Sequence, residues 1–220
     1  MEEKRIHVRR TARWYLLGDP RERPGILWVA CHGYGQLGAA FAGWLAPLVR
    51  PGVAVAVPEA PLRFYLDAPG TAPPAERRVG ASWMTREDRQ ADIADYVRLL
   101  DAVLADARAA LGGADPEIRL LGFSQGVATV CRWAALGAVR PAELVLWAGP
   151  LPPDLDLAAH AERFLTPRIT LVRGERDRSV GREAVDQGEA RLRQAGAAVR
   201  RLTFAGGHRL DAATLATLAE

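Results

Sequence analysis

Gly122-Phe123-Ser124-Gln125-Gly126 constrains the fold more than any other stretch of the chain. It follows Glu117 to Leu121, which reads as a short buried strand, and precedes Val127, Val130, Cys131 and Ala134, which recur at helical spacing. Two glycines flanking a serine in that setting fit a sharp strand-to-helix turn, where a side chain at either glycine would strike neighbouring backbone. Such a turn lifts the serine hydroxyl above the end of a sheet.

The rest of the chain alternates in the same way. Ile26 to Ala30, Val53 to Val57, Leu144 to Trp147, Arg168 to Val172 and Val199 to Phe204 read as strands. Helical patterns lie between them. Leu37, Ala40, Phe41, Trp44, Leu45 and Leu48 mark one such face, interrupted by Pro47, and Ile93 through Leu111 mark a long one that Gly112-Gly113 should stop. Thr85 to Asp88 has the form of a capping box for that long helix. Ile6 to Leu16 alternates apolar and polar residues, the period of a half-buried edge strand. Pro58 to Ser82 is a long Pro-, Gly- and Ala-rich connection, and residues 58–84 are read as a lid or long loop. The pattern predicts one α/β domain over residues 1–220, a mainly parallel central sheet with helices on both faces.

Composition narrows the functional classes. The chain has 220 residues and a net charge of +3, with its arginines dispersed and Lys4 its only lysine. No basic stripe or aromatic RNA motif is present, which argues against nucleic-acid binding. No apolar run approaches the roughly 18 residues of a membrane span, so no integral membrane segment is expected. Met1 to Arg5 leads straight into the alternating segment without the features of a secretory signal, and a cytoplasmic location is expected. Cys31 and Cys131 fall in a strand and a helix, as small core residues do.

In such a sheet, reactive groups gather at the carboxyl ends of the strands. Those ends carry His32-Gly33-Tyr34-Gly35, Ser124, Asp177 and His208. A serine hydroxyl is a weak nucleophile until a neighbouring base takes its proton, and His208 is the candidate base. Asp177 is the candidate partner that orients the imidazole, with Glu175 the nearby substitute. The order Ser, Asp, His is that of α/β-hydrolases. The backbone N–H groups of Tyr34 and Gln125 are placed to receive an oxyanion, each worth about 3 kcal/mol in such sites. His32 is read as a holder of its loop, and His7 and His160 receive no role. Leu37, Trp83 and Met84 are candidates for substrate contact, Trp83 and Met84 having packing beneath the lid as the plainer alternative. His32, His208 and Asp177 lack metal-ligand spacing, and no metal is expected.

These residues resemble the phospholipase/carboxylesterase family of small α/β-hydrolases, which includes acyl-protein thioesterases and lysophospholipases. His32-Gly33-Tyr34-Gly35 is similar to the family's His-Gly-x-Gly loop, and Gly122 to Gly126 matches its serine motif. Trp83, Gly149-Pro150-Leu151-Pro152, Asp177 and His208 match further positions, so the likeness runs from about Ile26 to His208. Val127, Tyr34 and Met84 depart from the pattern, where Gly, Leu and an aromatic are usual. The resemblance implies hydrolysis of a small acyl ester, thioester or lysophospholipid through an acyl-enzyme on Ser124, without any cofactor. Two other readings stay open: a catalytically silent fold that binds an apolar ligand, and a hydrolase of amide or carbon–carbon bonds using the same triad.

Overall fold

The computed structural model describes residues 1–113 and 115–219. Among these residues, nine strands and six α-helices follow one another as β1 (Trp14–Leu17), β2 (Ile26–Cys31), α1 (Gly38–Trp44), β3 (Val53–Pro58), β4 (Leu62–Tyr65), β5 (Val79–Ser82), α2 (Arg89–Ala110), β6 (Glu117–Phe123), α3 (Gln125–Leu136), β7 (Glu143–Trp147), α4 (Glu162–Leu165), β8 (Arg168–Gly174), α5 (Arg182–Gln194), β9 (Val199–Phe204) and α6 (Ala212–Leu218). Seven strands form the central sheet in the order β1-β3-β2-β6-β7-β8-β9. All neighbours pair in parallel except β1, which runs antiparallel to β3.

Covering both faces makes the central strands β2, β3 and β7 largely apolar, since alternate residues enter different cores. In β2, Leu27, Val29 and Cys31 join the core beneath α2 and α3, while Trp28 and Ala30 join the core beneath α1 and α6. The long helix α2 buries Ile93, Tyr96, Val97, Leu100, Leu104 and Ala107, one stripe at helical spacing. Each large apolar side chain buried in this way contributes about 1.5–3 kcal/mol. Gly112 and Gly113, both at positive φ, end the helix as the sequence indicates.

Three local expectations fail. Residues 1–13 are exposed and outside any strand; Ile6 and Val8 lie in solvent. The register explains this: Trp14 pairs with Pro58 at the end of β3, and beyond it only the backbone of Arg13 is held, its O accepting from Glu59 N–H at 3.0 Å. The capping box at Thr85 does not form. The chain passes through left-handed Asp88 before α2 begins at Arg89, and Asp92 rather than Asp88 reaches back, accepting from Thr85 N–H at 3.0 Å. Residues 58–84 are not a bare loop but carry an antiparallel hairpin of β4 and β5.

The hairpin is fastened at its root by Glu59, whose side chain is fully buried. Its carboxylate accepts from Arg13 Nε at 3.0 Å, Arg63 Nε at 2.8 Å and Gly38 N–H at 3.1 Å. Burial alone would raise its pKa, but these donors outweigh it and hold the carboxyl below its ordinary range. Glu59→Gln removes the charge that both guanidinium groups face, and is expected to lower unfolding free energy by about 2 kcal/mol. Urea unfolding at neutral pH measures the loss, and an unchanged midpoint would contradict this account of Glu59.

Candidate active site

Parallel pairing brings the relevant loops to one edge. Cys31 is opposite Gly122, Phe123 opposite Trp147, and Gly174 opposite Phe204, so the loops after β2, β6, β8 and β9 open side by side. Ser124 follows β6 at φ 55° and ψ −116°, a conformation that costs a non-glycine residue about 1–3 kcal/mol. The surroundings hold it there. Ser124 N–H donates to Trp147 O at 2.8 Å, and α3 starts at the next residue. A Cβ at Gly126 would lie 2.1 Å from Cys31 O, and one at Gly122 2.3 Å from Gly126 O. Both glycines are required by close approach of backbone.

Ser124, Asp177 and His208 come together. His208 Nε2 is 3.0 Å from Ser124 Oγ, and His208 Nδ1 is 2.9 Å from Asp177 Oδ2. A carboxylate can only accept, so Nδ1 carries the proton and Nε2 is free to accept from the serine hydroxyl. Asp177 is buried and its other oxygen accepts from Ser179 N–H at 2.8 Å, whereas Glu175 is exposed. The imidazole is partly exposed, lies 5.0 Å from the Phe123 ring, and its loop is held where Trp147 Nε1 donates to Arg209 O at 2.9 Å. These atoms form a linked path from carboxylate to hydroxyl.

The loop after β2 supplies the second half of the site. His32 is buried; Nδ1 donates to Gly33 O at 2.7 Å and Nε2 accepts from Ala60 N–H at 3.0 Å. That pair of bonds demands the neutral imidazole. Burial pushes the His32 pKa down and keeps it neutral. Because the peptide is trans, turning Gly33 O toward His32 turns the Tyr34 N–H the other way. Gly35 at φ 76° completes the turn, and Gly35 N–H donates to Ala81 O of β5 at 2.8 Å. Among the described residues, neither Tyr34 N–H nor Gln125 N–H has a protein acceptor. The Gln125 side chain meanwhile braces the neighbouring segment, accepting from Trp83 N–H at 3.1 Å and donating to Met84 O at 3.1 Å.

A cleft of about 370 Å³ opens over Ser124 and His208, and its walls include Tyr34, Trp44, Phe123 and Leu210. The expected substrate contacts lie elsewhere. Trp83 is fully buried and donates from Nε1 to His32 O at 2.8 Å, so it braces the loop from beneath. Met84 lies with its sulfur 3.5 Å from buried Arg132, and Leu37 packs on the core at the start of α1. None of the three lines the cleft. Trp44 was legible only as part of a helical stripe, and it stands half exposed as the last residue of α1. Leu210 had no sequence signal beyond following His208. Among the described residues no cluster suited to a metal ion is found, and no helix is long and apolar enough to cross a membrane.

The sequence matches no protein-family model and no curated protein sequence. Similar solved structures include esterase PE8, at 22% identity over 94% of this chain and 96% of that one with a TM-score of 0.68. Zea mays acyl-protein thioesterase 2 is 20% identical over 95% and 96%, with a TM-score of 0.69. A carboxylesterase from Mesorhizobium loti is 18% identical over 94% and 93%, with a TM-score of 0.72. The likeness is one of fold, and together with the sheet order it makes this an α/β-hydrolase fold.

The neutral His32 gives a pH signature. Its folded pKa lies below the unfolded value of 6.5, so the folded state binds fewer protons. The stability it supports is complete above 6.5 and is lost as pH falls from there through the lowered folded pKa. Unfolding free energy, measured by urea titration at successive pH values, should fall over that window, and less so in His32→Gln. Parallel curves for the two proteins would contradict this tautomer.

Proposed function

We propose that this chain is a serine hydrolase of the carboxylesterase/phospholipase type, cleaving carboxylic esters through an acyl-enzyme on Ser124. The observation that carries the reading is the path Ser124–His208–Asp177, with contacts of 3.0 and 2.9 Å, beside two unpaired backbone N–H groups. The names of similarly folded proteins, esterase PE8 and the Mesorhizobium loti carboxylesterase among them, agree with it. So does the family resemblance of the serine and His-Gly-x-Gly motifs.

His208 Nε2 takes the Ser124 proton as Oγ attacks the acyl carbon, and Asp177 stabilises the imidazolium that forms. Charge builds on the former carbonyl oxygen, facing the N–H groups of Tyr34 and Gln125. Collapse breaks the bond to the leaving oxygen, which takes the proton from His208 and departs as alcohol. Water then gives a proton to His208 and attacks the acyl carbon, freeing the acid and restoring Ser124. No step calls for a cofactor. The apolar walls at Tyr34, Trp44, Phe123 and Leu210 favour an aliphatic or aromatic acyl group, and the β4–β5 hairpin serves as cover, with Phe64 5.1 Å from Tyr34 ring to ring.

A fluorophosphonate probe is expected to label the wild type on Ser124 and to leave Ser124→Ala unlabelled, as read by intact mass and peptide mapping. Asp177→Asn should keep the fold and lower kcat on the order of 10⁴-fold, because the imidazole loses its orienting acceptor. Absence of labelling would favour a silent ligand-binding fold. A panel of esters, thioesters, lysophospholipids and amides of graded chain length separates ester cleavage from the other chemistries that a serine triad can perform.

A further inference from the structure

Gln36 closes the turn that presents Tyr34, and it does so twice. Its backbone N–H donates to Gly33 O at 3.3 Å, and its side-chain Oε1 accepts from Gly33 N–H at 2.7 Å. An N–H can only donate, so the atom facing Gly33 is the oxygen, and the amide nitrogen is turned away from it. Gln36 is half-buried and lines the same cleft as Ser124 and His208. A Cβ placed on Gly33 would lie 3.1 Å from Ser124 Cβ and 3.2 Å from Gln36 Oε1, so the amide oxygen and the serine both crowd one small glycine. Among the described residues, Gln36 Nε2 donates to no protein atom, nor is it among the buried side-chain atoms left without a partner. It is therefore a donor without a protein acceptor, reachable by solvent, on a residue that lines the cleft.

We propose that Gln36 is a further catalytic residue, its Nε2–H donating to the acyl oxygen as negative charge develops there, alongside Tyr34 N–H and Gln125 N–H. This rests on the serine-hydrolase reading above. A side-chain donor differs from the two backbone donors in a useful way. It can be removed without altering the peptide that carries it, whereas the backbone groups cannot. Its orientation is set in advance by the bond from Gly33, so little reorganisation accompanies charge development. The same bond ties the amide to the turn held by His32 and β5, and the three donors form one unit.

The test uses two variants and three readouts. Gln36→Glu keeps an acceptor for Gly33 N–H and removes the amide donor; Gln36→Met is neutral, similar in length, and removes both. The readouts are kcat against KM for an activated short-chain ester, inhibition by an alkyl trifluoromethyl ketone, and thermal midpoint. The ketone accepts Ser124 Oγ at its carbonyl carbon, the hydroxyl proton passes to His208, and the charge remains on oxygen, where the proposed donor would meet it.

Both variants are expected to lower kcat on the order of 10²-fold with KM within about twofold, and to weaken the ketone in step with kcat/KM. Fluorophosphonate labelling of Ser124 should survive in both, and thermal midpoints should stay near wild type. Wild-type kcat in Gln36→Glu would overturn the proposal and leave Gln36 as a brace. So would a ketone affinity that does not follow kcat/KM, or a kcat loss that comes with a collapse of thermal midpoint. A wild type that is itself unlabelled and inactive would remove the hydrolase reading, a result separable from either.

Discussion

The backbone of Gly126 lies against the carbonyl of Cys31, so close that a single added carbon would sit 2.1 Å from that oxygen. This contact joins the start of α3 to the end of β2, and it places the Ser124 turn against the His32 loop. Parallel pairing of β2 with β6 puts the two strand ends level, and the glycines let the turn close down on them. Everything chemical about the molecule depends on that approach. Were it wider, Ser124 would be released from its strained φ and the N–H groups of Tyr34 and Gln125 would part.

Around this contact the chain spends buried hydrogen bonds on orientation. His32 is neutral, pinned between Gly33 O and Ala60 N–H, and it turns the next peptide. Trp83 supports the carbonyl of His32 from below, and the side chain of Gln125 holds Trp83 and Met84 in place. On the far side Trp147 fixes the loop that bears His208. The residues touching the proposed substrate are thus few, and most of the polar atoms nearby serve to aim them. Two tryptophan N–H groups hold the loops through backbone oxygens, one on each side of Ser124.

The elements easiest to read from sequence were those with a single period and strong boundaries. The strands β2, β3 and β7 are short apolar runs between turn residues, and helix α2 carries one apolar stripe. The N-terminal alternation forms a strand only from Trp14, at the sheet edge, because a strand needs a partner and β3 stops at Pro58. The hairpin of β4 and β5 escaped notice because its second strand, Val79 to Ser82, contains a glycine and small residues. Its close contact with the Gly35 backbone needs that lack of bulk.

By itself the sequence determined the class of fold and named Ser124, Asp177 and His208 as groups to be brought together. Glycine spacing, strand periodicity and residue order are local properties of the chain, and they survive without coordinates. Tertiary structure alone decided that Asp177 and not Glu175 faces the imidazole, that Trp83 is a buried brace, and that Trp44 and Leu210 wall the cleft. Such assignments depend on which side chains meet across elements distant in sequence. That is set by sheet register and by the path of each loop, and neither leaves a periodic trace in the residues themselves.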